Sequence, residues 1–150
     1  MKANRWNMAD NKTTKTKSLV VVEDDPDDQF FLMSAFEKIG FADYVMWLDS
    51  SSHLFDYLGS LTEATGYPYT ILLDYNMPVM NGEDILIELK KHPGYRQIPI
   101  LIYSTGISKA LIQKLIALGA DGCYVKSYSS SGILEFAEFL KQKIATAVFR

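Results

Sequence analysis

With 150 residues, 48% hydrophobic and 22% charged, the chain has material for one globular domain with a sizeable core and no room for a second catalytic domain. A net charge of -3 gives no reason to expect nucleic-acid or membrane binding. Cys123 is the only cysteine, which excludes an internal disulfide and a thiolate metal site and fits a reducing cytoplasm.

Residues 1–17 are polar and loosely basic, with Lys2, Arg5, Lys12, Lys15 and Lys17 against Asp10. No apolar segment follows that would make them a signal peptide, and no later run approaches the roughly 20 residues of a spanning helix. A disordered arm on a cytoplasmic domain spanning 18–150 is expected, with Trp6 and Met8 idle in the arm. From Ser18 onward, apolar runs of strand length alternate with stretches of helical period, five times over. The first run, Leu19 to Val22, discharges into Glu23, Asp24, Asp25 and Pro26; Asp25 and Pro26 read as an N-cap and first helical residue. Leu32, Ala35, Phe36 and Ile39 give that helix one apolar face, and Gly40 stops it.

A short strand, Tyr44 to Trp47, leads to cap candidates at Ser50, Ser51 and Ser52 and a helix carrying Leu54, Tyr57, Leu58 and Leu61. The third strand ends at Asp74, followed by a loop with Asn76, Pro78 and Asn81. A helix from about Gly82 to His92 then turns Ile85, Leu86 and Leu89 inward. Ile100 to Tyr103 form the fourth strand, ending at Ser104. Ser108 caps a helix with Leu111, Ile112, Leu115 and Ile116, and Gly122 to Val125 form a short fifth strand ending at Lys126. Ile133, Phe136, Ala137, Leu140 and Ile144 mark the last helix. The fold class is α/β: a three-layer αβα sandwich on a five-stranded parallel sheet of order 2-1-3-4-5.

In such sheets the ligand crevice lies beyond the carboxyl ends of the strands, at the switch point of the winding. Glu23, Asp24 and Asp74 therefore converge on one hard-oxygen pocket suited to a divalent cation, and without a cation they would repel one another. Lys126 stands opposite these acids. Asp25, Asp27 and Asp28 are accounted for by capping and by the positive end of the helix dipole. Ser104, Thr105 and Gly106 look like a phosphate loop but follow the fourth strand and lack the full pattern of one. His53 and His92 have no matching ligand spacing and read as surface or packing residues.

Taken together, these motifs resemble the receiver domain of bacterial two-component response regulators over residues 18–148. The resemblance rests on Val21 to Pro26, Leu72 to Pro78 with Asn81 and Gly82, Ile98 to Ile100 leading to Ser104, and Gly119 to Gly122 leading to Lys126. It implies a phosphoryl-accepting switch, not an enzyme acting on other substrates, that assists its own phosphorylation and dephosphorylation. Asp74 would be the phosphoacceptor, with Mg²⁺ held by Glu23, Asp24, Asp74 and the main-chain carbonyl of Asn76. Ser104 and Lys126 would bind the phosphoryl group. The donor would be a histidine kinase or histidine phosphotransfer protein, and with no output domain the downstream partner would be another protein. The face formed by the Leu111 to Leu118 helix, the fifth strand and the last helix resembles the family's output face.

Two departures stand out. The family usually has proline after its lysine, often in a cis bond, where this chain has Ser127, and an aromatic residue where it has Cys123. The Lys126–Ser127 bond is therefore expected to be trans, because cis before a non-proline residue costs roughly 2.5–4 kcal/mol. Transmission through a turning ring on the fifth strand is not expected either, since alternation points Tyr124 to the opposite face. Two other functions compete: a phosphorylation-independent interaction module on the same fold, and a Mg²⁺-dependent phosphohydrolase with an aspartyl-phosphate intermediate. Against the latter, enzymes of the haloacid-dehalogenase type carry a second aspartate two residues after the nucleophile, where this chain has Asn76.

Overall fold

Leu19–Val22, Thr70–Asp74 and Ile100–Ser104 have every side chain buried, a pattern open only to strands covered on both faces. In the computed structural model, which describes residues 16–148, these strands are β1, β3 and β4 at the centre of one sheet. Val45–Leu48 (β2) and Gly122–Val125 (β5) are its edges, and the order is β2-β1-β3-β4-β5 with all neighbours parallel. The expected winding and its switch point between β1 and β3 are thus found.

Side chains alternate between two cores. Val20, Val22, Ile71, Leu73, Ile100 and Ile102 pack beneath Ser51–Gly59 (α2), Gly82–Lys91 (α3) and Lys109–Ala117 (α4). Leu19, Val21, Leu72, Leu101 and Tyr103 pack beneath Pro26–Lys38 (α1) and Ser130–Val148 (α5). The helix boundaries follow local chemistry. Asp25 caps α1 by accepting from the Asp27 and Asp28 amides, Ser50 caps α2, Asn81 and Asp84 form a reciprocal capping box on α3, and Ser108 caps α4. Gly40, at φ 72°, lets the chain leave α1 in a left-handed conformation.

Three details differ from the sequence reading. Tyr44 lies in a 3-10 turn, Ala42–Tyr44, so β2 starts one residue later and runs to Leu48. Of the apolar residues on α4 only Leu115 is buried, and Ile116 is 46% exposed, in keeping with the position of β5 at the edge of the sheet with no strand beyond it. Thr16 and Lys17, read as part of the arm, are tied down: Thr16 donates to Gly66 O at 2.6 Å and Lys17 to Asp43 O at 2.6 Å. Trp6 and Met8 lie outside the described residues. The Lys126–Ser127 bond is trans, as are all peptide bonds among the described residues. Cys123 packs toward α2–α4 and Tyr124 toward α5, as alternation requires.

Candidate functional site

Register decides which side chains meet. Val22 pairs with Leu73 and Asp74 with Tyr103, so Glu23, Asp74 and Tyr103 stand side by side one step past the last pairs of β1 and β3. Tyr124 pairs with Tyr103, and two residues further Lys126 projects to the same side of the sheet. There its ammonium lies over the Tyr103 ring, 4.7 Å from the ring centroid. Lys126 Nζ lies 2.8 Å from Glu23 Oε1, 2.8 Å from Asp28 Oδ2 and 3.2 Å from Asp74 Oδ2. An ammonium has three protons, and three carboxylates surround it.

Glu23 is fully buried and also accepts from the Tyr103 hydroxyl at 2.8 Å and from the Asp25 amide at 3.2 Å. Burial opposes its charge, but hydrogen bonds from Asp74, Lys126 and Tyr103 hold its pKa below the ordinary value. Asp74 goes the other way. Burial, then the neighbouring Glu23, raise it to about 7 against the attraction of Lys126 and a hydrogen bond from the Asn76 amide. The pair thus shares one proton near neutrality when only Lys126 compensates it. Burial lowers the Lys126 pKa less than Asp28 and Glu23 raise it, so the ammonium stays charged.

Ser104 faces the other side of the strand end. Its buried hydroxyl accepts from Asn76 Nδ2 at 3.0 Å and donates to Gly106 O at 3.2 Å. Three contacts therefore escaped the sequence reading. Asp28, assigned to capping, spends its carboxylate on Lys126. Tyr103 carries a hydroxyl to Glu23. The Asn76 side chain, and not only its main chain, reaches the site. No spacing announces any of these: Asp28 and Lys126 are 98 residues apart, and Tyr103 reads as an ordinary strand residue.

The loop that presents Asp74 closes at Gly82, whose amide donates to Tyr75 O at 2.9 Å. A Cβ there would sit 2.9 Å from Tyr75 Cα and 3.1 Å from Asp74 O, both backbone atoms that cannot swing aside. Gly82→Ala is accordingly expected to destabilise the protein by about 1–3 kcal/mol in urea melts, as overpacking does. An unchanged midpoint would show that the loop yields freely.

The acids fit a hard divalent cation. One carboxylate oxygen each from Glu23, Asp24 and Asp74 lie within 4.8 Å of one another. Oxygens on opposite sides of one Mg²⁺ are about 4.2 Å apart, so a small contraction suffices. The donor set is all oxygen, and Lys126 alone leaves the cluster with excess negative charge. Repulsion between the acids, expected without a cation, is thus partly relieved by Lys126 and by the proton on the Asp74 and Glu23 pair.

Residues 19–138 match the family model described as the response regulator receiver domain. The probable methanogenesis regulatory protein FilR2 of Methanothrix harundinacea is 27% identical over 126 residues, covering 83% of this chain and 81% of that protein. Chemotaxis protein CheY1 of Helicobacter pylori is 23% identical, covering 80% and 93%. Among solved structures, the phosphorylated cyanobacterial phytochrome response regulator RcpA superposes with a TM-score of 0.75 at 24% identity, covering 87% of this chain and 95% of that one. The Mn²⁺-bound form of response regulator Rcp1 gives 0.69 at 20% identity, covering 83% and 90%.

Proposed function

The chain belongs to the response regulator receiver domain family, and we propose that it is a Mg²⁺-dependent switch phosphorylated on Asp74. One observation carries the reading: a buried carboxylate at a strand end, 3.2 Å from a charged lysine and grouped with two further acids able to hold a metal. Membership supports a phosphoryl-accepting role in two-component signalling. The residue assignments and the metal are our reading of this site.

Glu23, Asp24, Asp74 and the main-chain carbonyl of Asn76 would hold Mg²⁺, which when bound supplies positive charge for the transferred phosphoryl oxygens. That the response regulator Rcp1 was solved in an Mn²⁺-bound form supports a divalent ion as a partner of this fold. Lys126 supplies a second charge from the α1 side, and the Ser104 hydroxyl would bond the phosphoryl group from the α4 side. With a phosphohistidine donor, an Asp74 carboxylate oxygen attacks phosphorus. The new O–P bond forms as the P–N bond breaks, and the leaving imidazole nitrogen takes up a proton. The donor is then a histidine kinase or histidine phosphotransfer protein, and the output is an altered surface read by another protein. No helix among the described residues is long and apolar enough to cross a membrane.

Incubation with acetyl phosphate and Mg²⁺ is expected to add one phosphoryl group, mapped to Asp74 by peptide mass. No gain, or a gain elsewhere, overturns the reading and favours the phosphorylation-independent interaction module. Acidity provides a second check. The folded-state pKa of Asp74, about 7, lies above its unfolded value near 3.8, so the stability this group contributes is present at low pH and is lost as pH rises toward and through 7. In EDTA the melting temperature should therefore fall from pH 5.5 to pH 8. Mg²⁺ competes with the shared proton, so its stabilising shift should be larger at pH 8 than at pH 5.5. Equal shifts at the two pH values would contradict metal binding at Asp74.

A further inference from the structure

Lys126 is closer to Asp28 than to Asp74, the proposed phosphoacceptor: 2.8 Å against 3.2 Å. The Asp28 side chain is 13% exposed and that of Lys126 is 6% exposed, so this is a largely dry ion pair and not a flickering surface contact. Asp28 sits in the first turn of α1, where Asp25 already caps the helix by accepting from the Asp27 and Asp28 amides. Its carboxylate is therefore not needed at the helix end, and lysine is its partner. Glu23 accepts a second hydrogen bond from the ammonium, whereas Asp74 meets it only as an ion pair at 3.2 Å.

We propose that Asp28 is a positioning residue that holds the Lys126 ammonium toward α1, and so restrains how strongly the site takes a phosphoryl group. The inference rests on the reading of Asp74 as phosphoacceptor. Two physical effects give the restraint its sign. Asp28 occupies a donor that a phosphoryl oxygen on Asp74 would otherwise receive. It also adds a negative charge beside a group that arrives with more than one of its own. Hydrogen bonding to Asp28 supports the ammonium's charge, but Glu23 and Asp74 remain to keep that charge after Asp28 is neutralised. Asp28 is not among the three acids whose oxygens group for a metal, so its removal leaves the cation ligands in place.

The test uses the full chain, its Asp28→Asn, Asp28→Ala and Asp28→Glu variants, and two measurements. The first is NMR of the Lys126 ammonium in the absence of phosphoryl donor. In the wild type its protons should be protected from exchange with water, and in Asp28→Asn and Asp28→Ala the protection should fall by about tenfold, as for a group that has lost a buried charged partner. The second is titration with beryllofluoride, a phosphoryl mimic, at saturating Mg²⁺. Asp28→Asn and Asp28→Ala should bind it about fivefold more tightly, the effect of one unit charge removed at short range, with Asp28→Glu returning toward wild type. Mg²⁺ affinity measured alone should weaken and not vanish, since the charge that repels the mimic attracts the cation while Glu23, Asp24 and Asp74 remain in place; abolished Mg²⁺ binding would instead mark a general loss of structure.

Unchanged ammonium protection in both neutral variants overturns the proposal outright. Released ammonium with unchanged or weaker mimic binding also overturns it, because the hold would then not restrain the site. A wild type that binds no mimic while its Asp28 variants do is the extreme form of the expected result. Failure of every protein to bind the mimic, with the ammonium released in the variants, instead overturns the phosphoacceptor reading and leaves the Asp28 hold on Lys126 established.

Discussion

The Asp74→Asn variant is expected to take up no phosphoryl group from acetyl phosphate and Mg²⁺, and at pH 8 to melt above the wild type. The first half follows from chemistry: an amide oxygen is not the nucleophile that a carboxylate is, and the change leaves the shape of the site intact. The second half follows from burial. Asp74 is 3% exposed, and its pKa of about 7 means that ionising it in the folded protein works against burial and against Glu23. Asparagine fills the same volume without charge. Its oxygen can accept from the Asn76 amide, as Asp74 Oδ1 does at 3.1 Å, and its nitrogen can donate to Glu23 as the shared proton does. The gain should be about 1–3 kcal/mol at pH 8 and shrink below pH 6, where the wild type carries the proton itself. Lys126 attraction is lost in the exchange, which keeps the gain below the full value of the shift. A variant that still gains phosphoryl mass to the wild-type extent would remove Asp74 from its role; one that melts lower at pH 8 would show that Lys126 outweighs burial.

The strand ends were readable because two things coincide in the sequence. Leu19 to Val22 and Ile71 to Leu73 are apolar without alternation, which means burial on both faces, and each stops at an acid. A doubly wound sheet puts both acids at one crevice whatever the details of the helices. Caps at Asp25, among Ser50 to Ser52, and at Ser108 were equally plain, since each precedes a run of helical period, whereas the Asn81 cap was hidden in a loop read only as turn chemistry. What the sequence withholds is register and reach. Whether Tyr103 stands level with Glu23 depends on how β4 pairs with β3, and a one-residue slip would send its hydroxyl to the α4 side. Asp28 looks like any first-turn acid until Lys126 is seen folded over the Tyr103 ring toward it. The exposure of Ile116 is hidden for a similar reason: helical period marks a face as apolar but cannot say that the strand nearest the helix is the edge of the sheet.

Lys126→Met is the substitution expected to damage the protein most, and its effect on stability should have the opposite sign to that of Asp74→Asn. Methionine is close to the lysine stem in length and apolar character, so packing is nearly kept and the ammonium alone is lost. Three carboxylates, Glu23, Asp28 and Asp74, then face one another with side chains that are 0%, 13% and 4% exposed. Removing one partner of a buried ion pair costs about 3–5 kcal/mol, because the charges left behind have neither partner nor water. Protonation of the Asp74 and Glu23 pair relieves part of this, so the loss should be largest at pH 8 and smaller at pH 5.5. Phosphoryl uptake should fall by about a hundredfold or more, the usual scale for losing one preorganised charge at a transferring group. Urea melts with and without Mg²⁺ decide the matter. If the acids repel once the ammonium is gone, Mg²⁺ should stabilise Lys126→Met by more than it stabilises the wild type. Combining the substitution with Asp74→Asn should then recover much of the loss, since the two residues share one electrostatic network and their effects cannot add. A double variant as unstable as the sum of the singles would mean that Lys126 acts through packing on Tyr103 and not through the charges it gathers.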